Sequence, residues 1–255
     1  MEVEIAVIIL AAGLGKRMRS PKAKVLHEIL GRPMLSYVID VAREIAGGNV
    51  ILVVGNQAEA VRRAVSGETV RYATQERQLG TGHAVRCALP QLPDDCEQVV
   101  VLCGDTPLLT APTLKGLVYD HLTARRDATL LAVELDDPQG YGRLLLNDHH
   151  QVCGIVEEAD ASAGQRAIRL INTGIYCVTR QFLSQPCRTS HRTTPRGSFI
   201  SPTSSGSVTN RAGTSAFPTA RLPGRSWEST PPKIWPASRP SWPAGTRLFL
   251  DFARY

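Results

Sequence analysis

Four uninterrupted apolar runs constrain the fold of this chain more than any other feature. They read "IAVIIL", "NVILVVG", "QVVVLCGD" and "ATLLAVEL", and segments with helical apolar spacing lie between them. Strands that are apolar on both faces are typical of parallel sheets, whose crossover connections are usually helices. The alternation therefore predicts an α/β fold with a mostly parallel sheet and helices on both of its faces.

Three further strand-like segments follow, with no helical segments between them. They read "GRLLLN", "QVCGIVEE" and "INTGIYCV". We expect them to form a small β-rich portion appended to the parallel sheet.

The end of the chain differs in composition from the rest. Residues 185–255 contain ten of the 17 prolines, all three tryptophans, and 10 basic against 2 acidic residues. Residues 1–184 contain 19 basic and 21 acidic residues, so the net charge of +6 comes from the tail. Such a composition is typical of an irregular or disordered segment. The sequence thus predicts a domain over 1–184 and a Pro/Ser/Arg-rich irregular tail over 185–255.

Composition disfavours several classes of function. The basic excess does not extend into residues 1–184, and aromatic residues do not interleave with basic ones there, which argues against a nucleic-acid partner. The six cysteines include no Cys-x-x-Cys pair, which indicates reduced thiols. The N-terminal "MEVEIAVIIL" carries two acids and too short an apolar run for a signal peptide or a membrane span. We expect a soluble cytoplasmic protein with no membrane partner.

A glycine-rich loop with two adjacent basic residues, "LAAGLGKRM", overlaps the end of the first apolar run. In an α/β sheet the loop after the first strand is the usual phosphate site, because glycines let backbone N–H groups approach phosphate oxygens. The spacing does not match a P-loop, and Met18 stands where a dinucleotide fingerprint needs its third glycine. Taken alone, the loop is equally compatible with a tight strand-to-helix turn.

Six motifs in order remove this ambiguity. They read "LAAGLGKRM…PKAKVLHEILGRPML", "QERQLGTGHAV", "VLCGDTPLL", "GYGRLL", "GIVEEADAS" and "INTGIY". Together they resemble the sugar-1-phosphate nucleotidylyltransferases, in particular the uridylyltransferase half of the bifunctional bacterial enzyme that makes UDP-N-acetylglucosamine. The resemblance covers residues 5–183 and implies a Rossmann-like fold of the nucleotidyltransferase type. It implies UTP and N-acetylglucosamine-1-phosphate as substrates, and a role in making cell-wall and lipopolysaccharide precursors.

The resemblance also implies which residues bind the substrates. From the residues alone, Ala11 is also compatible with a packed strand end, and Gln75 and Thr81 with a surface polar pair. Glu157 is preferred to Glu158 because the family motif ends at "IVE", and on a strand Glu158 would point to the opposite face. The implied contacts are Leu10, Ala11, Ala12 and Gly13 with uridine and ribose; Gly15, Lys16 and Arg17 with the triphosphate; Gln75, Gly80 and Thr81 with uracil; and Gly142, Glu157, Asn172 and Thr173 with the sugar, which Tyr141 and Arg143 border.

Asp105 comes directly after a buried strand run and is the expected Mg²⁺ ligand, with a helix N-cap as its alternative role. The sugar phosphate is ionised at neutral pH, so its attack on the α-phosphorus of UTP needs no general base. We expect catalysis through positioning and through charge stabilisation by Mg²⁺, Arg17 and Lys24.

The chain departs from the family at two places. Ala23 precedes Lys24 where the family usually has proline, and Pro21 stands nearby, so we expect a slightly different loop shape. After residue 184 the family motif "NAQGEFYLTD" and the later "GVN", whose asparagine is the second magnesium ligand, do not occur. The hexapeptide repeats of the acetyltransferase half do not occur either, and no oligomeric state is predicted, because the family trimer forms through that half.

The tail is compatible with the family sequence in a shifted reading frame. The stretch "GSFISPT" at 197–203 can be encoded so that a one-base shift yields Glu-Phe-Tyr-Leu-Thr-Asp. The same shift permits family matches for "QPCRTSHRTTPRG" and for "WESTPPKIWPA", the latter beginning Gly-Val-Asn. We interpret the tail as a one-base frame change near residues 184–185, in the gene or in its recorded sequence. The alternative is a natural disordered tail.

This interpretation has a consequence for activity. As written, the chain would lack the second metal ligand and one wall of the sugar site, and we expect little or no turnover. Two alternatives stay open: a nucleotidylyltransferase for another sugar-1-phosphate or nucleotide, and a nucleotide-binding remnant without activity.

Overall fold

A computed structural model of the chain describes residues 4–13, 20–148 and 150–184, and the backbone of Arg247–Asp251. The strands are β1 (Ile5–Leu10), β2 (Glu28–Ile29), β3 (Arg32–Pro33), β4 (Val50–Val54), β5 (Arg71–Thr74), β6 (Gln98–Cys103), β7 (Ala128–Glu134), β8 (Arg143–Leu146), β9 (Val152–Val156), β10 (Leu170–Thr179) and β11 (Arg247–Asp251). The helices are α1 (Met34–Ala46), α2 (Ala58–Ala64), α3 (Thr81–Ala88), α4 (Ala111–Thr123), α5 (Ala163–Arg166) and α6 (Arg180–Ser184).

One mixed sheet organises the fold, with the strand order β11-β7-β10-β6-β1-β4-β5. The strands β6, β1, β4 and β5 are mutually parallel, whereas β10 runs antiparallel to both β6 and β7. The predicted apolar runs form β1, β4, β6 and β7, as their residues are buried on both faces of the sheet. The α/β architecture and its parallel centre are therefore confirmed.

Helices cover both faces of the sheet, as predicted. On one face α1 and α4 contribute Leu35, Ile39, Leu114 and Leu117, all fully buried. The spacing of the buried residues of α1 is helical, which places its apolar stripe against the sheet. On the other face α3 packs together with the strand pair β8–β9, which Leu144 anchors.

The β-rich portion consists of β8, β9 and β10, but a short helix, α5, lies between β9 and β10. The sequence does not predict this helix because its four residues carry no apolar period. A capping box forms it: the Ser162 hydroxyl accepts from the Gln165 N–H, and the Gln165 side chain accepts from the Ser162 N–H.

Within the predicted tail the structure describes one element, β11, which pairs antiparallel with the outer edge of β7. The sequence does not predict this strand, because it has no period and lies in a Pro-rich segment. Backbone pairing with an open edge explains how it forms. Residues 185–246 and 252–255, which carry most of the proposed frame-changed tail, lie outside the described residues. Among the residues that are described, no helix has the length and apolar character needed to cross a lipid bilayer.

Candidate active site

The carboxyl ends of the parallel strands meet at one edge of the sheet, and the predicted site residues that the structure describes lie near it. Leu10 ends β1, and its carbonyl accepts from the N–H of Gly104, which follows β6, at 2.9 Å. Ala11 and Ala12 are buried at this strand end, and Gly13 is exposed. Ligands of α/β sheets bind at this edge. Gly15, Lys16 and Arg17 belong to the segment 14–19, which lies outside the described residues.

Gln75 follows β5 and has a fixed side-chain amide. Its Nε2 lies 3.0 Å from the Gly80 carbonyl oxygen and 3.1 Å from His83 Nδ1, and the residue is only 4% exposed. The two amide hydrogens are directed at these two acceptors, so Oε1 is the amide atom that can accept from a ligand. Thr81 begins α3 directly after Gly80, whose φ is 102°. The structure thus brings Gln75, Gly80 and Thr81 together, as predicted.

Gly55 is a site residue that the sequence did not single out. A Cβ at this position would lie 2.9 Å from Ala12 Cβ and 3.1 Å from the Gln75 carbonyl oxygen. The absence of a side chain at Gly55 therefore lets the strand ends of β1 and β5 approach each other. The available signal was the glycine that ends the apolar run "NVILVVG".

Gln78 was also missed, and nothing but its place three residues after Gln75 could have indicated it. Its Nε2 donates to the Ala12 carbonyl oxygen at 2.7 Å, which connects the loop between β5 and α3 to the end of β1. An open cleft of about 420 Å³ lies here, lined by Gly55, Asn56, Thr74, Gln75, Glu76 and Gln78.

Lys24 and Asp105 form an ion pair at the centre of the edge, with 2.5 Å between Nζ and Oδ2. Their side chains are 44% and 29% exposed, so both groups are accessible to a ligand. Gly104, directly before Asp105, lets the chain pass close to the end of β1, because a Cβ there would lie 3.1 Å from the Leu10 carbonyl oxygen. The alternative role of Asp105 as a helix cap is excluded, because α4 begins at Ala111 and its N-cap is Thr110.

The Asp105 carboxylate fits a magnesium ion that is held mainly by phosphate oxygens of a bound substrate. Magnesium is commonly held by one or two carboxylates together with substrate phosphates and water. Within the described part of the chain, no group of three or more His, Cys, Asp or Glu side chains is placed to hold a metal. Among the described residues, Asp105 is therefore the predicted magnesium ligand, and phosphate oxygens of a bound nucleotide would complete the coordination. Burial raises the pKa of the neighbouring Cys103 thiol to about 12, so this thiol is inert near neutral pH.

Gly142, Glu157 and Asn172 come together on the antiparallel side. The Asn172 N–H donates to the Gly142 carbonyl oxygen at 2.8 Å. Glu157 Oε1 lies 3.3 Å from the position of a Cβ on Gly142, so the missing side chain makes room for the carboxylate. These three predicted sugar-site residues therefore share one surface.

A bulge in β10 orients Asn172 and Thr173. Asn172 Oδ1 accepts from the Gly174 N–H at 2.9 Å and from the Tyr176 hydroxyl at 3.0 Å, so Nδ2 is its amide atom that can meet a ligand. The Thr173 hydroxyl donates to the Leu131 carbonyl oxygen at 2.5 Å and accepts from the Ile175 N–H at 3.2 Å. Thr173 thus holds the bulge, and its contact with a sugar stays a prediction.

Arg143 differs from expectation, because it lies behind the sugar-side surface. It is 2% exposed, and its Nη2 lies 2.8 Å from Glu158 Oε2. It also donates to the carbonyl oxygens of Tyr141 and Arg166. The hydrogen bond from Arg143 lowers the pKa of Glu158. Glu157 and Glu158 therefore have different surroundings, and Arg143 supports the wall that Gly142 and Glu157 form.

Comparisons with known proteins show which family the chain resembles. The family model for the MobA-like NTP transferase domain matches residues 7–172. The bifunctional protein GlmU of Trichlorobacter lovleyi is 48% identical over 179 residues, which are 70% of this chain and 39% of that protein. GlmU of Cupriavidus pinatubonensis is 52% identical over 169 residues, 66% of this chain and 37% of that protein. The chain thus spans about two fifths of the length of these relatives.

The solved structure of HddC from Yersinia pseudotuberculosis has the same fold. It superposes with a TM-score of 0.53 at 22% identity, and the match covers 71% of this chain and 78% of HddC. The likeness confirms the nucleotidyltransferase-type architecture and carries no inference about substrates. On the strength of the family model, which matches more than half of its length, the chain belongs to the family of MobA-like NTP transferase domains, and about 70% of it is similar to GlmU.

Proposed function

We propose that this chain transfers a uridylyl group from UTP to N-acetylglucosamine-1-phosphate, forming UDP-N-acetylglucosamine and pyrophosphate. The observation that carries the proposal is one continuous edge of the sheet. On it the Lys24–Asp105 pair lies between Gln75 on one side and Glu157 on the other. The order base, phosphate and sugar along this edge is the order of the parts of the product.

Gln75 accounts for a preference for uracil. Its amide nitrogen is held by Gly80 and His83, which directs Oε1 toward a ligand. The N3–H of uracil can donate to this oxygen, whereas cytosine presents an acceptor at the same position. Two acceptors facing each other leave both unsatisfied, which costs about 1–3 kcal/mol.

Lys24 and Asp105 would exchange partners when the triphosphate binds. Asp105 would hold Mg²⁺ together with phosphate oxygens, and Lys24 would move from Asp105 to the α-phosphate that is attacked. Bound Mg²⁺ supplies neutralisation of the charge on the transferring group. The phosphate nucleophile is already ionised, so positioning and charge stabilisation suffice.

Glu157 and Asn172 would bind the sugar. The Glu157 carboxylate accepts from a sugar hydroxyl, and Asn172 Nδ2 donates to a ring hydroxyl or to the N-acetyl oxygen. Since only about two fifths of each GlmU relative is matched, the proposal concerns this one transfer reaction.

The tail lowers the expected rate. Under the frame-change hypothesis the family's second magnesium ligand is lost, and turnover should fall far below the roughly 10 s⁻¹ that is typical of enzymes. A nucleotide-binding remnant without activity is the second candidate, and the same loss favours it. Sequencing the DNA across codons 180–190 distinguishes the two forms of the hypothesis. An extra or missing base that restores "NAQGEFYLTD" would place the change in the recorded sequence, and an unchanged sequence would place it in the gene.

The test incubates the purified 255-residue chain with Mg²⁺, UTP and N-acetylglucosamine-1-phosphate, and measures nucleotide sugar and pyrophosphate. Glucose-1-phosphate and mannose-1-phosphate are the competing substrates, and Asp105→Asn is the control variant. We expect slow product formation with the N-acetyl sugar and a loss of about 100-fold in the variant. Preference for another sugar phosphate would contradict the assigned substrate, and UTP binding without any product would favour the remnant.

A further inference from the structure

Gln57 contacts the backbone that leads into Lys24. Its Oε1 accepts from the Ala23 N–H at 3.0 Å, and its Nε2 donates to the Pro21 carbonyl oxygen. Both contacts cross more than thirty positions of sequence and act on the residues immediately before Lys24. One side chain therefore holds this segment through one hydrogen bond that it accepts and one that it donates.

The alanine at position 23 makes the first contact possible. Ala23 has φ −54° and ψ 137°, values that a proline adopts without strain. A proline there would fix the same backbone shape but would have no N–H. Ala23 keeps the shape without the ring and presents a donor, and at 3% exposure that donor needs a partner. Gln57 is that partner.

Gln57 itself is held by a rigid connection between β4 and α2. Its backbone is left-handed, with φ 59° and ψ 31°, a conformation that persists only where the surroundings enforce it. The Ala58 N–H donates to the Gly55 carbonyl oxygen, and the Val61 N–H donates to the Gln57 carbonyl oxygen, both at 3.0 Å. The side chain thus starts from a fixed point at the same sheet edge as Gly55.

The restraint continues into the turn that carries Lys24. The Ala23 carbonyl oxygen accepts from the Leu26 N–H at 2.9 Å and so closes the 3-10 turn Lys24–Leu26. From this turn Lys24 reaches Asp105. The peptide groups before and after Ala23 are thus both held, which fixes the origin of the lysine side chain.

We propose that Gln57 is a positioning residue for Lys24 and replaces, by two hydrogen bonds, the restraint that a proline at position 23 would impose. The inference rests on the proposed function for the role of Lys24. The restraint on the segment itself does not depend on that function. A proline at position 23 of this chain would leave Gln57 Oε1 without the Ala23 N–H to accept from, while the contact of Nε2 with Pro21 would remain.

A double-mutant cycle tests this coupling. The variants are Gln57→Ala, Ala23→Pro and the pair, with Gln91→Ala as the matched control, since Gln91 is exposed in the turn after α3. The two measurements are hydrogen–deuterium exchange of the peptide covering 20–26 and the Kd for UTP with Mg²⁺. With Ala23 in place, Gln57→Ala should speed exchange and weaken UTP binding by about 3- to 10-fold, the value of one or two hydrogen bonds. In the Ala23→Pro background only the hydrogen bond to the Pro21 carbonyl oxygen remains to be lost, so Gln57→Ala should change both by about two- to threefold, less than with Ala23 in place.

Further measurements separate positioning from a merely structural role. Gln57→Asn keeps an amide that tolerates the left-handed backbone but is one methylene too short, so it should behave like Gln57→Ala. The unfolding midpoint should fall more in Gln57→Ala than in Gln91→Ala, because the buried Ala23 N–H loses its partner, so UTP binding is compared at a temperature where both variants are fully folded. Equal effects of Gln57→Ala in the two backgrounds, or no effect on the 20–26 peptide, would overturn the proposal. If the unaltered chain does not bind UTP, the proposed function fails, and the exchange measurements still decide whether Gln57 restrains the segment.

Discussion

The nucleotide side and the sugar side of the site are built by different means. On the nucleotide side, close approach of backbone at Gly55 and Gly104 shapes the surface between parallel strand ends. On the sugar side, a buried guanidinium, Arg143, holds two backbone carbonyls and the carboxylate of Glu158. The nucleotide side should therefore be sensitive to added volume, and the sugar side to the loss of one charged group.

The largest expected effect lies at the other end of the strands, away from both sides of the site, where Gln98 begins β6. His121 on α4 contacts Gln98 Oε1 on β6 at 3.0 Å and Thr129 Oγ1 on β7 at 2.8 Å. Burial, with help from Arg126, lowers its pKa to about 4. The unfolded chain takes up a proton near pH 6.5 and the folded chain does not, so stability should fall between pH 6.5 and pH 4 by roughly 3 kcal/mol.

Urea denaturation at a series of pH values measures this effect. The variant His121→Gln has no titrating group and should show a flatter profile over the same range. An identical slope in the variant would mean that other groups cause the acid sensitivity.

Added volume on the nucleotide side should have the next largest effect. Gly55→Ala places a methyl group 2.9 Å from Ala12 Cβ, where the neighbouring atoms belong to rigid strand ends. We expect a loss of about 2–3 kcal/mol in the free energy of unfolding, together with weaker UTP binding. Urea denaturation and calorimetric titration measure the two quantities.

Gly48→Ala is the matched control, because a Cβ there meets no atom within 4 Å and its backbone is not left-handed. If both alanine variants behave alike, close approach at Gly55 does not shape the site.

A smaller effect is expected from removing the buried guanidinium. Arg143→Met leaves the carbonyls of Tyr141 and Arg166 without this donor and should cost about 1–2 kcal/mol. It should weaken binding of the sugar nucleotide product more than binding of UTP, since the sugar side alone is disturbed. Arg166→Met is the control: its side chain is 54% exposed and 4.0 Å from Glu158, so the change should stay within about 0.5 kcal/mol. Equal weakening of both ligands by Arg143→Met would contradict the division into two sides.

The sequence predicts the parallel sheet and the order of the motifs along it, because apolar runs and short motifs are local patterns. It does not predict the contacts of Gln57 and Gln78, since a side chain that reaches a distant backbone group leaves no period. The burial of Arg143 was missed for the same reason: its partner Glu158 lies on another segment. The helix α5 depends on a capping box instead of apolar spacing, and β11 depends on an edge that only the folded sheet presents.

The central claim is that a fixed Gln75 amide reads the base, and calorimetric titration of the whole chain with UTP and with CTP, both with Mg²⁺, tests it most directly. We predict that UTP binds at least about tenfold more tightly than CTP, and that Gln75→Ala removes this preference. Equal affinity for the two nucleotides, or a preference that survives in the variant, would contradict the account.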